Sequence, residues 1–469
     1  MNTEPDIAQQ ESFRDRLSTI DEKGKRKWVF AQKPKGKYYN ARTILSFVFF
    51  ALFFALPFIH IDGRPLFLFN VAEAKFHLFG KVFWPQDFFI FGLIMLTFIF
   101  FIILFTAAFG RLFCGWACPH TNFMEMMFRK VEYLFIGNPN QQRALRKAPW
   151  SIKKILKVGG KHITFYLISF IIANFFLSYI IGINELEKII TEPVTQHIVG
   201  FTAILAFSGV FYGVFAFFRE QACTAVCPYG RLQSVLLDKN SMIVAYDYKR
   251  GEPRGNFKKE KEKPLGDCID CYQCVDVCPT GIDIRNGVQM ECVGCTACID
   301  ACDLVMQRIN KATGLIRYAS EDSISRGVKF HFTTRMKVYT GLCVLLLGVL
   351  TTLLVTRKDV GATVMRTPGI LFQERGTDSI SNLYNIKMVN KTVKPIPLTI
   401  RLENDKGKIE IIGKNYIPVQ EEGQGSGSFF VVLPKQMIHK RKTEIKLGLY
   451  EGDKKIAVVK TNFLGPVTD

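Results

Sequence analysis

The chain has no cysteine after Cys343, so no disulfide can staple residues 344–469. Acidic residues are few beside basic ones: 41 Asp and Glu against 61 Lys and Arg leave a net charge of +20 over 469 residues. Such a balance suits nucleic acid or a membrane surface. No basic, aromatic-interleaved stretch forms a soluble module, which sets nucleic-acid binding aside. No short apolar h-region with a small-residue cleavage site precedes the first long apolar run, so no cleaved signal peptide is expected. What the chain has instead is 48% hydrophobic residues, 42 of them Phe. Apolar spans joined by basic cytoplasmic loops account for both the apolar content and the charge.

The thirteen cysteines are clustered rather than scattered. Eight form Cys268-x2-Cys271-x2-Cys274-x3-Cys278-Pro279 and then Cys292-x2-Cys295-x2-Cys298-x3-Cys302. This is the bacterial ferredoxin run written twice. Three closely spaced thiolates wrap one corner of a [4Fe-4S] cube, and the fourth cysteine ligates the other cube. The spacing therefore predicts crossed sets: Cys268, Cys271, Cys274 and Cys302 for one cluster, and Cys292, Cys295, Cys298 and Cys278 for the other. Pro279 ends the first loop, and Gly294 lets the second turn tightly. A zinc ribbon also uses C-x2-C pairs, but zinc takes four ligands per site and separates its pairs by longer stretches. Disulfides fit poorly, because the surrounding sequence reads as reducing.

Apolar runs at 44–59, 87–109, 163–182, 198–218 and 337–356 each approach the ~20 residues that cross a bilayer. Positive charge gathers before the first run, between the second and third, and between the fourth and fifth. The positive-inside rule places the N-terminus and the ferredoxin repeat in the cytoplasm and the C-terminus outside it. Beyond 370, short alternating segments (382–389, 396–403, 408–412, 428–433, 443–449, 455–463) read as an antiparallel β-sandwich. Turn signals such as Asn404-Asp405 separate them. His439 is this region's one histidine, and no catalytic constellation accompanies it, so docking is its expected task.

Four more cysteines form two matching C-x3-C-P pairs, Cys114/Cys118 and Cys223/Cys227, each just past an even-numbered span. Cysteines at i and i+4 share a helix face, so each pair is expected to converge on one atom. Four such thiolates suit Cu(I) or a further iron–sulfur centre, or shuttle between dithiol and disulfide. Small buried residues packing a helix end are the plainer reading. His120, Met124, Met126 and Met127 lie near the first pair as candidate helpers, although methionines at an apolar helix more often fill the core. Cys343, alone in the fifth span, reads as packing.

The order of these motifs — a basic N-terminus, CGWACPH, CTAVCPYGRLQ, the double ferredoxin run, a fifth span and a β-sandwich — resembles the cbb3-type cytochrome c oxidase accessory protein family of the CcoG, FixG or RdxA type. The resemblance covers nearly the whole chain and departs at His120, where glutamine is the commoner residue. It implies a multi-domain membrane protein: a five-span α-helical transmembrane bundle, an inserted bacterial-type 2[4Fe-4S] ferredoxin domain and a C-terminal immunoglobulin-like β-sandwich. The corresponding boundaries are 1–40, 41–240, 241–335, 336–357 and 358–469. It further implies a bacterial inner-membrane protein with a periplasmic C-terminal domain, two [4Fe-4S] clusters on the eight ferredoxin cysteines, and copper or extra redox chemistry at Cys114, Cys118, Cys223 and Cys227. The implied role is reduction of Cu(II) to Cu(I) during oxidase assembly, alongside the assembly machinery, a copper-transporting P-type ATPase and an unknown cytoplasmic electron donor. Two rivals remain. One is a membrane quinol dehydrogenase, against which stand the fifth span, the sandwich and the lack of a flavin-binding domain. The other is a non-redox assembly scaffold.

Overall fold

Residue order and charge place the helices of the first half. A computed structural model describes residues 19–466, apart from 21–22, 24, 62, 72–74, 85–86, 256–263, 358–359, 370, 377, 393, 404–406, 414–415, 422 and 439. His439 and the Asn404-Asp405 turn lie outside the described residues. The chain divides into two units: residues up to Phe58 with Gly92–Val349, and Ile59–Phe91 with Leu350 onward.

In the first unit, α1 (Lys37–Ala55) begins seven residues before the apolar run that marks it in the sequence. Its polar first turns are held by a distant group. The Asp300 carboxylate accepts the Tyr38 and Tyr39 backbone N–H at 3.2 and 2.7 Å, a cap no local signal encodes. The second span, α2 (Phe88–Phe109), is followed by two short helices, α3 (Leu112–Trp116) and α4 (Pro119–Phe123), and a π-helical turn over Met124–Phe128. The third, α5 (Ile152–Ile181), starts eleven residues before 163 because Ser151 caps it and its lysine-rich first turns are good helix formers that hydropathy overlooks. The fourth, α6 (Ile198–Gly213), runs on as a π-helical turn to Phe218, and a second such turn, Ala222–Val226, leads into α7 (Pro228–Leu236).

Strand β1 (Ile243–Tyr246) pairs antiparallel with β2 (Ile316–Ala319). Between them lie the two cysteine loops with α8 (Gln273–Asp276) and α9 (Ala297–Arg308). Helix α10 (Thr334–Val355) follows. Among the described residues, five helices are long and apolar enough to cross a membrane: Lys37–Phe58, Phe88–Phe109, Ile152–Ile181, Ile198–Phe218 and Thr334–Val355. Phe123, Phe128, Phe165 and Phe215 form a core against which phenylalanines of α1 pack, with Phe128 and Phe215 stacked at 4.3 Å.

The second unit is a two-sheet sandwich. Its strands are β3 (Val360–Arg366), β4 (Gln373–Arg375), β5 (Ser379–Asn390), β6 (Ile396–Leu402), β7 (Lys408–Ile411), β8 (Ile417–Val419), β9 (Gln424–Pro434), β10 (Lys442–Glu451) and β11 (Lys454–Leu464). One sheet runs β7-β9-β5-β3 with β4 also on β5, the other β8-β6-β10-β11. Tyr384 and Phe429, cross-strand partners in the first sheet, stack at 5.7 Å and are fully buried in the core. Loop 60–86 folds too: strands Phe67–Asn70, Lys75–Leu78 and Lys81–Phe83 make a small sheet whose Val82 and Trp84 pack on Val389. Buried Asp87 pairs with Arg357 at 2.5 Å and Lys391 at 2.6 Å. Burial alone would raise that carboxyl, but the two cations hold it below the usual range.

Candidate metal centre

The two ferredoxin loops adopt one backbone. Asp270 and Tyr272 in the first take positive φ (55° and 57°), and so do Gly294 and Thr296 at the matching positions of the second (68° and 65°). Left-handed residues spaced this way turn backbone N–H groups inward, an arrangement suited to anionic centres such as iron–sulfur clusters. Because Asp270 tolerates the same conformation, φ alone does not explain the glycine at 294. The reason is proximity: a Cβ on Gly294 would lie 3.0 Å from the Arg111 carbonyl oxygen.

Around these loops the cysteines gather into two cavities. Cys268, Cys271, Cys274 and Cys302 ring one of about 340 Å³, with Tyr246 and Arg285. Cys278, Cys292, Cys295 and Cys298 line another of about 350 Å³, whose wall Cys274 also reaches. Burial, reinforced by the neighbouring thiols, pushes Cys274, Cys295 and Cys302 up to about 12, so a bound metal displaces protons from them. Among the described residues, no three Cys, His, Asp or Glu side chains stand close enough to hold a single ion. A cube with one cysteine per iron asks for the wider spacing. Donor type, number, cradle and left-handed loops all fit [4Fe-4S] groups.

The surroundings of the two cavities differ. Beside the first, Arg285 is neutralised by Asp283, at 2.6 Å, and by Asp270. Cys271 is exposed, as is Tyr272. Against the second loop lies helix α3. A Cβ on Gly115, next to Cys114, would meet the Gly294 carbonyl oxygen at 2.5 Å, so two glycines bring the first C-x3-C-P pair directly onto the Cys292–Cys298 loop. Trp116 Nε1–H donates to Tyr318 Oη at 3.0 Å, and Tyr38 packs edge-on to both rings.

The second pair meets the first here. Cys118 and Cys227 each touch the electrostatic surroundings of Cys114, and the other three thiols all act on Cys223. The i,i+4 helical reading does not hold, however. Cys118 (φ −62°, ψ 125°) and Cys227 (φ −67°, ψ 111°) are extended and end one helix before the next begins. A residue before proline is pushed out of the helical region, and Pro119 and Pro228 open the following helices. Burial raises Cys114 to about 11 and Cys223 to about 12. The Cys114 thiol donates to Gln233 Oε1 at 2.9 Å, and Gln233 is fully buried.

The proposed helpers are otherwise engaged. His120 Nε2–H donates to the Arg219 carbonyl at 3.0 Å, its ring stacks on Phe215 at 5.4 Å, and burial holds its pKa below the ordinary value. Met124 and Met126 are buried, and Met127 packs against the cluster that holds Met124. Buried Arg219 forks onto Glu132 at 3.2 and 2.9 Å and fixes the entry to the second pair. Sequence reasoning overlooked Arg111, Arg42, Asp300 and Gln233. Arg111 left one trace, a charge at the end of an apolar run three residues before Cys114.

Family models match three stretches: a 4Fe-4S dicluster domain over residues 218–321, a 4Fe-4S binding domain over 91–138, and the IG-like fold at the C-terminal of FixG over 350–466. Protein RdxA of Cereibacter sphaeroides is 32% identical over 429 residues, 87% of this chain and 89% of RdxA. Protein RdxB of the same organism is 33% identical over 390 residues, 78% and 80% of the two chains. The chain belongs to the FixG/RdxA family. The nitrogen fixation protein FixG of Rhizobium meliloti is 35% identical over 308 residues, 63% of this chain, and that match spans 58% of FixG. A crystal structure of a FixG-related protein from Vibrio parahaemolyticus aligns with 23% of this chain and 97% of its own at 20% identity and a TM-score of 0.20, too slight a likeness to build on. As a member of the FixG/RdxA family with these domains, the chain is a membrane iron–sulfur protein of electron transfer, and its C-terminal sandwich is immunoglobulin-like.

Proposed function

We propose that the chain reduces Cu(II) to Cu(I) at Cys114, Cys118, Cys223 and Cys227, with electrons from a cytoplasmic donor, during assembly of a cbb3-type oxidase. In this reading Cys268, Cys271, Cys274 and Cys302 hold one [4Fe-4S] cluster, and Cys278, Cys292, Cys295 and Cys298 hold the second. Bound there, the clusters supply one-electron storage and relay.

The residues of the chain do the rest. Exposed Cys271 and Tyr272 present the first loop to a soluble donor. Gly115 and Gly294, lacking side chains, close the distance between the second loop and the Cys114 helix. Because no three donors among the described residues stand close enough to share one ion, two of the membrane-face thiols bind copper as thiolates and release their protons to water. Each Cu(II) takes one electron, and soft sulfur favours the Cu(I) that results. The basic loops set the ferredoxin loops in the cytoplasm and the sandwich in the periplasm of a bacterial inner membrane. There the sandwich would meet the oxidase assembly machinery or a copper carrier, and a copper-transporting P-type ATPase would share the cargo.

The observation that carries this reading is the glycine-to-glycine contact between the C-x3-C-P helix and the second loop. The test is anaerobic: dithionite-reduced protein receives Cu(II) and a Cu(I)-specific chromophore. Wild type is expected to form one Cu(I) per stored electron, and Cys114→Ser/Cys118→Ser to form none while keeping its iron–sulfur spectrum. Undiminished Cu(I) formation in that variant would overturn the copper site. A second reading, a further iron–sulfur centre on these thiols, is favoured by the 4Fe-4S family match over residues 91–138, which contain Cys114 and Cys118.

A further inference from the structure

Two arginines, Arg42 of α1 and Arg111 of the turn after α2, close on the second cysteine loop, and neither is balanced as the arginine at the first loop is. Arg42 lies little more than a turn into α1 and is 3% exposed, yet its Nε and Nη2 have no hydrogen-bond acceptor among the described residues. It shares a cavity wall with Cys295. The other charges lining that cavity, Glu125 and Arg129, pair with each other at 3.0 Å. Arg111, also buried, donates to the Met290 carbonyl and hydrogen-bonds the Cys114 thiol, its Nε has no acceptor among the described residues, and it shares a wall with Cys292 and Gly294. Opposing them are Glu291, beside Cys292, and Asp300, whose carboxylate is taken up by the N-terminus of α1. At the first loop, by contrast, two carboxylates neutralise Arg285.

An unpaired buried guanidinium is costly unless an anion faces it. A cysteine-ligated cluster is anionic and gains a further negative charge on reduction, so a nearby buried cation stabilises its reduced form with little screening. We infer that Arg42 and Arg111 order the two centres: they make the cluster at the Cys292–Cys298 loop the stronger electron acceptor, so that electrons run from the exposed first loop toward the C-x3-C-P thiols. This rests on the two-cluster reading above. Arg42 and Arg111 are positioning residues here: both face the cysteine loop, and Arg111 also hydrogen-bonds the Cys114 thiol.

The test is an EPR-monitored redox titration of the full chain in detergent. Wild type is expected to show two one-electron steps, the upper one abolished by Cys295→Ala. In Arg42→Gln the upper step should fall by about tenfold in electron affinity, about 59 mV for one electron, while the lower step stays put. Arg42→Lys, which keeps the charge, should restore most of the shift. An unmoved upper step in Arg42→Gln overturns the inference, as does an equal fall in Arg42→Lys, which would mark a packing role. A wild-type iron count of about four per chain would instead defeat the two-cluster reading, before any variant is made.

Discussion

Loops 268–274 and 292–298 share spacing and backbone but not surroundings. Each places left-handed residues two and four positions after its first cysteine. The first loop keeps Cys271 and Tyr272 at the surface and surrounds its arginine with carboxylates. The second is packed against a membrane hairpin, backbone on backbone, with two poorly balanced arginines beside it. One sequence motif therefore meets two environments, and under the proposed function the first loop would receive electrons and the second hand them on.

The contrast breaks most completely at the glycine contact. Gly115→Leu would drive a side chain into the Gly294 carbonyl, 2.5 Å from where its Cβ would sit. About half the iron is expected to be lost, whereas Asp270→Gly in the first loop should leave the iron count unchanged. Elemental analysis decides it.

Copper affinity should depend steeply on pH. Burial raises Cys114 to about 11 and Cys223 to about 12, so both thiols are protonated at neutral pH and binding must expel their protons. Cu(I) affinity is then expected to rise about tenfold per pH unit for each proton released, flattening only near those values. Tyr272→Ala, at the first loop, should leave that slope alone. Competition with a chelator across pH 6 to 9 measures it.

A smaller effect separates conformation from proximity. Gly294→Ala meets both a left-handed φ and the Arg111 backbone, a cost of roughly 1–2 kcal/mol, and should release iron to a chelator about tenfold faster. Asp270→Ala, already non-glycine, should change release little beyond the loss of its ion pair to Arg285. Smallest of all, Gln233→Leu removes the acceptor from the Cys114 thiol. It should cost about 1 kcal/mol and alter Cys114 alkylation a few-fold without touching iron content.

Local chemistry made much of this legible in the sequence. Cysteine spacing located the ferredoxin loops, apolar runs located five spans, and alternation located most of the sandwich. All but one of the failures share one cause, dependence on distant residues. Helix α1 starts in polar sequence because Asp300, more than 260 residues away, caps it. Strand β3 and the small sheet within 60–86 lie in stretches without clean alternation and are fixed by pairing and by Asp87 with its two cations. The i,i+4 reading of the C-x3-C-P pairs failed for a local reason that was legible, the proline after each second cysteine. Arg42 and Arg111 carry no motif at all; only the fold sets them beside Cys295 and Cys292.

The central claim, two clusters on the ferredoxin loops with the C-x3-C-P thiols left for copper, is tested most directly by counting iron. Purified wild type and a variant with Cys114, Cys118, Cys223 and Cys227 all changed to Ser should both hold about eight irons per chain. A wild-type count near twelve that falls to eight in the variant would contradict it and place a third iron–sulfur centre on those thiols.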